Sequence, residues 1–235
     1  MALPGGAVAA WSDRSAGDLR PRPTGDLPGV ADASALARFA GGAGVPPGAR
    51  PVVWLRQVHG AGVVTVPPGR DPSGSEGDAL VAPAGSAVVL AVLTADCGSV
   101  ALSGDDGSFA AVHVGWRGLT AGVVDRAVDA LVAGGASRVA AALGPCVHPS
   151  CYPFSPGDLD VVARLFGPVV RGRSADGGPA LDLPAAVAAA LARSGAVLAN
   201  GVDRCTACSG RDFSHRARRD GGRQALVVWA GGAER

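Results

Sequence analysis

Lysine and isoleucine are absent from these 235 residues. Without lysine all 21 basic side chains are arginines, so no catalytic or phosphate-binding lysine exists in the chain. The skew toward Arg, Gly, Ala and Val reads as a coding bias toward GC-rich codons rather than a functional device. It lowers the weight of every glycine-rich signal, because 36 glycines cluster by chance. Charge is scarce as well: 17% of residues are charged and the formal net charge is +1, which favours neither nucleic acid nor an anionic membrane as partner. Long hydrophobic runs are missing. Even the run over residues 87–93 is far too short to cross a bilayer.

Hydrophobic residues make up 48% of the chain, far from a disordered composition, and the length allows a substantial core. Residues 1–10 lack a basic leading segment followed by an apolar run, so a secretory route is not expected. Five cysteines in such a chain point to a reducing compartment, the cytoplasm, with thiols kept for metal, catalysis or packing.

The first fifty residues read as irregular. Arg20-Pro21-Arg22-Pro23 and Val45-Pro46-Pro47-Gly48 are breakers, with room for one short helix over 31–40. Strands are expected over 51–56, 62–66, 78–81, 87–93, 99–103, 109–114, 139–143 and 225–229. Leu119, Val123, Ala127 and Leu131 recur every fourth residue and predict one long helix after Gly118, ended by Gly134-Gly135. Further helices are expected over 156–166 and 183–194. Strands and helices mix without regular βαβ alternation, and no repeat is apparent. The expectation is a single α+β domain over 1–235.

Three stretches carry the chemistry: Gln57-Val58-His59-Gly60, Thr94-Ala95-Asp96-Cys97 and His113-Val114-Gly115-Trp116-Arg117-Gly118. Each sets a metal-capable side chain at or beyond the end of an apolar, strand-like run, where rigid backbone can aim distant residues at one point. Two imidazoles and a thiolate, His59, His113 and Cys97, form a three-ligand zinc set with a fourth position left for water or substrate. Singly, each has a plainer reading as a hydrogen-bonded histidine or a buried thiol. Asp96 could orient a ligand imidazole or act as general acid/base, or simply form a turn. Arg117, at the predicted helix start, suits an anion such as phosphate, or else a salt bridge to Asp125. Trp116 would wall a pocket or stack on a flat base, or pack in the core. Cys205-Thr206-Ala207-Cys208, together with Cys146 and Cys151, reads first as ordinary loop cysteines, with a second metal or a redox pair as alternatives. The basic loop around Phe213-Ser214-His215-Arg216 reads as solvated surface by default, and His148 is weak evidence for anything.

The ordered set QVHG, DALV, TADC, HVGWRG, GPC, CT and finally FSHR with GRQA closely resembles the YfiH family, over roughly residues 52–229. That family is variously called laccase-domain or polyphenol oxidase-like, purine nucleoside phosphorylase-type, and peptidoglycan editing factor. The resemblance implies a CNF1/YfiH-like layered sandwich of mixed β-sheet with flanking helices, and zinc on His59, Cys97 and His113. It implies phosphorolysis of adenosine, inosine or methylthioadenosine, with adenosine deamination; purine nucleoside and phosphate are then the small-molecule partners. Gln57 and Trp116, and Arg14 as remnant of a shortened N-terminal motif, become candidate substrate contacts, with Asp96 and Arg117 as catalytic candidates. The other family labels imply a copper-dependent phenol oxidoreductase, a cell-wall precursor editing hydrolase, or, if activity is lost, a non-catalytic zinc-binding protein. Copper is disfavoured by four histidines in total and by Met1 as the only methionine. The chain departs from the family pattern in that shortened N-terminus, in Gly98-Ser99 after the TADC cysteine, where a proline is common, and in Val114 for the usual alanine.

Overall fold

The computed structural model describes residues 1–23, 31–46 and 51–231. Along the chain, β1 (Ala7–Trp11) is followed by the short pair β2 (Arg22–Pro23) and β3 (Ala31–Asp32), then by α1 (Ser34–Gly42). Next come β4 (Val52–Trp54), β5 (Val63–Thr65), β6 (Ala79–Ala82), β7 (Val89–Thr94), β8 (Gly98–Gly104) and β9 (Phe109–Val114). Two consecutive helices, α2 (Trp116–Thr120) and α3 (Val123–Ala133), precede β10 (Val139–Leu143). The remainder is α4 (Pro156–Phe166), β11 (Arg171–Arg173), β12 (Pro179–Leu181), α5 (Leu183–Arg193), β13 (Val197–Gly201), α6 (His215–Arg218) and β14 (Gln224–Ala230).

Two sheets dominate, one ordered β1-β14-β7-β4 and the other β13-β10-β8-β9-β6-β5, each mixing parallel and antiparallel pairs. Side-chain alternation explains the layering. In β7, Val89 and Ala91 point to an outer core with Leu36 and Ala40 of α1, while Leu90 and Val92 point to the other sheet. In β9, Ala110, Val112 and Val114 face α3, whereas Phe109 and Ala111 face the first sheet. The order is therefore helix, four-stranded sheet, six-stranded sheet, helices. Each fully buried leucine or valine in these cores contributes about 1.5–3 kcal/mol. The same alternation puts His113 on the inter-sheet face of β9.

Three expectations from sequence give way. The N-terminal segment is not irregular throughout: Ala7–Trp11 pairs antiparallel with β14, a strand of small residues whose alternation was too weak to see. The edge strand Val197–Gly201, exposed along its whole length, was not anticipated either, because its short apolar run over 196–199 ends at Asn200-Gly201. The long helix is broken at Gly122, which takes φ 86 and caps α3 in the left-handed region that glycine tolerates best. Pro47 and Gly48, read as breakers, lie outside the described residues.

Candidate metal centre

Two crossings between the sheets build the site. The chain leaves the four-stranded sheet after β4 and enters the six-stranded sheet at β5, with His59 in the connection. It makes the same passage from β7 to β8 through Ala95-Asp96-Cys97. His113, near the end of β9 and paired with Ser99 of β8, reaches the point from the six-stranded sheet. One ligand atom from each of His59, Cys97 and His113 lies within 4.8 Å of the others. The Cys97 Sγ to His59 Nε2 separation is 3.8 Å, close to the roughly 3.6 Å that a tetrahedral zinc with ordinary Zn–S and Zn–N bonds requires. Burial falls from His113, which is 3% exposed, through half-buried Cys97 to exposed His59, so the set opens to one side.

Asp78 supports the cluster and was not singled out by its sequence. Its carboxylate is fully buried at the entry to β6. Oδ1 accepts from His113 Nδ1 at 2.8 Å and from the His59 amide at 3.0 Å. Oδ2 accepts from the Gly60 and Val58 amides at 2.7 and 3.3 Å. One carboxylate thereby orients one imidazole, leaving its Nε2 free to ligate, and folds the loop that carries the other. Burial opposes ionisation of Asp78, but these hydrogen bonds hold its pKa below the usual carboxylate value.

Burial likewise pushes the Cys97 thiol up, yet the charge and hydrogen bonds of His113 and His59 outweigh it and bring the thiol down to about 6. His113 moves oppositely: desolvation lowers it, while the Cys97 thiolate and Asp78 raise it to about 9. A thiolate–imidazolium pair is the result, and a divalent ion fits it by displacing the imidazolium proton. Gly115 permits the close approach of the ligands: a Cβ there would stand 2.8 Å from His59 Cδ2 and 3.3 Å from Cys97 Sγ.

The ligands border a cavity of about 770 Å³, also lined by Gln57, Asp96, Trp116, Tyr152, His215 and the arginines 20, 216, 219 and 223. Among the described residues, the non-glycine positions with positive φ are His59 (58°), Asp96 (105°) and Arg219 (53°), and all three line this cavity. Backbone held in such regions costs of order 1–3 kcal/mol and gathers at functional sites. Arg219 makes no side-chain hydrogen bond or ion pair among the described residues. The Arg216 guanidinium lies 4.5 Å above the Tyr152 ring. Burial and the Cys97 charge push the Tyr152 phenol up to about 12, so it stays a hydrogen-bond donor.

The remaining sequence-derived candidates divide. Asp96 borders the cavity with both carboxylate oxygens engaged, by Thr206 Oγ1 and by the Arg216 amide, each at 2.7 Å. Gln57 lines it too, but its amide bridges both ways to the Leu93 main chain at 2.8 Å, fastening the β4 exit to β7. Trp116 lies half-buried on the wall, edge-on to Phe154. Arg117 and Arg14 are not in the lining. The first turn of α2 sends Trp116 inward and leaves Arg117 exposed, stacked on the indole at 4.7 Å; Asp125 pairs instead with Arg193. Arg14 is bound to Asp220 and stacks on Phe213. The FSHR loop, expected to be solvated surface, contributes His215, Arg216 and Arg219 to the lining. Its arginines gave no sequence signal beyond charge, because a basic run usually faces water.

Comparison with known proteins identifies the family. Residues 26–231 match the family model described as multi-copper polyphenol oxidoreductase laccase. A protein of Streptomyces griseus named purine nucleoside phosphorylase is 41% identical over 183 residues, 76% of this chain and 74% of its own. A Streptomyces coelicolor protein of the same name is 41% identical over 209 residues, 87% and 84% of the two chains. Among solved structures, YlmD of Geobacillus stearothermophilus superposes with a TM-score of 0.76 at 24% identity, over 97% of this chain and 93% of that one. A Neisseria meningitidis protein gives a TM-score of 0.72 at 25% identity, over 98% and 92%. With the match running from residue 26 to 231 and the layered sandwich shared with these structures, the chain belongs to the laccase-like YfiH family of enzymes.

Proposed function

We propose that this protein is a zinc-dependent purine nucleoside phosphorylase that also deaminates adenosine, with adenosine, inosine and methylthioadenosine as its substrate class. The observation that carries the reading is a set of three converging ligands on a cavity that also offers unengaged guanidinium and aromatic walls. The cavity volume lies within the usual range for small-ligand sites. The names of the Streptomyces relatives supply the reaction class. Two imidazoles and a thiolate suit zinc, and when bound there the ion supplies Lewis acidity toward the open side of the cluster.

The protein's own groups do the rest. Asp78 holds His113 in one tautomer and fixes the His59 loop. Trp116 and Tyr152 would wall a bound purine. The anion-binding role expected of Arg117 passes in this reading to Arg219 and Arg216, which border the cavity. Phosphorolysis then forms a bond from phosphate oxygen to the ribose anomeric carbon while the glycosidic C–N bond breaks toward the base. In this reading the Tyr152 phenol donates a hydrogen bond to the departing base. Asp96 acts by position: its carboxylate ties the Thr206 turn to the Arg216 amide and so shapes the wall.

Incubation of zinc-loaded protein with adenosine and phosphate tests the proposal. Ribose 1-phosphate and adenine are the expected products, and inosine the product without phosphate. Absence of both overturns the reading. The family description favours a second one, copper-dependent phenol oxidation. Ligand supply weighs against a multinuclear centre: of four histidines, His148 lies apart beside Asp203, and Met1 is the only methionine. Stoichiometric copper with robust phenol turnover would reverse the ranking.

A further inference from the structure

Three of the remaining cysteines meet at a second point. Cys151 ends a short helical turn, Pro149–Cys151, and Cys205 and Cys208 frame the turn Cys205-Thr206-Ala207-Cys208. Their sulfur atoms lie within 4.8 Å of one another, and burial runs from buried Cys205 through half-buried Cys151 to exposed Cys208. A cation with zinc-like bonds to sulfur holds its thiolates about 3.8–4.0 Å apart, so small side-chain rotations close the set.

Cys205, the buried member of the three, is fixed in place by one main-chain contact: its Sγ accepts the N–H of His148 at 3.4 Å. Cys208 lies close enough to both Cys151 and Cys205 to share an ion with them. A Cys205–Cys208 disulfide would leave Cys151 without a role.

We propose that Cys151, Cys205 and Cys208 form a second metal site, separate from the cavity ligands, that takes a thiophilic closed-shell cation such as zinc(II) or copper(I). All-sulfur donors select this class. Binding replaces thiol protons, which pass to solvent, and involves no electron transfer. The site has a mechanical connection to the cavity. Thr206, inside the turn, donates to Asp96 at 2.7 Å, and Tyr152 follows Cys151 directly into the cavity wall. An ion here would brace the turn that holds Asp96.

Cadmium titration of the reduced full chain tests the proposal, because sulfur-to-cadmium charge transfer reports the number of thiolates bound. In a His59→Ala/Cys97→Ser background, one equivalent of cadmium should bind with a three-thiolate band. Adding Cys208→Ser should remove a third of that band and weaken binding at least about 10-fold. Should the double background not fold, the titration is run on the wild type and on Cys208→Ser alone; the variant should then show a sulfur band smaller by one thiolate and one cadmium bound at least about 10-fold more weakly. A background without a sulfur band overturns the proposal. So does a band indifferent to Cys208→Ser, or a Cys205–Cys208 disulfide found by mass in protein kept under reductant.

Discussion

The two ligand clusters of this protein have the same arithmetic, three atoms within 4.8 Å, and opposite surroundings. His59, Cys97 and His113 combine nitrogen with sulfur, are backed by the buried carboxylate of Asp78, and border a cavity with left-handed backbone on its rim. Cys151, Cys205 and Cys208 offer sulfur alone, have one main-chain amide contact, from His148 to Cys205, and border none of that cavity. Ligand count alone therefore does not assign the two clusters the different roles proposed for them. The difference lies in what orients the ligands and what the open side faces.

Four substitutions break or sharpen that contrast. The largest effect is expected from Cys97→Ala, which should take phosphorolysis to background and abolish zinc at the cavity, read by metal analysis beside product assay. Asp78→Asn should follow, because an amide cannot accept all four hydrogen bonds: zinc affinity should fall about 10–100-fold in competition with a chelator. Arg219→Ala should raise KM for phosphate about tenfold while zinc content stays unchanged; an unchanged KM would remove Arg219 from the anion site. Smallest is Cys208→Ser in metal-free protein, an exposed position where unfolding free energy should shift by less than about 0.5 kcal/mol in denaturant titration.

The sequence showed this contrast unevenly. The strands 109–114 and 139–143 and the helix 156–166 were legible to the residue, because their apolar patterns match the faces they bury. The convergence of His59, Cys97 and His113 was legible from motifs at the ends of such runs. Asp78 was not, since a single aspartate before a strand looks like turn chemistry until its four donors are seen. Arg216 and Arg219 were hidden for another reason: a charged loop has no periodicity, and only tertiary packing of the C-terminal segment turns it toward the cavity. Arg117 had the attractive local context but the wrong direction, because adjacent residues on a helix face different ways. Strands β1 and β13 carry small or exposed residues, so pairing with β14 and β10 decides them rather than local preference.

The double crossing between the sheets has a last consequence. Since His59 sits in one passage and Cys97 in the other, a bound ion works as a rivet through both layers of the sandwich. Melting behaviour then doubles as an assay for occupancy: free zinc at a thousandfold excess over its dissociation constant should add about 4 kcal/mol to unfolding.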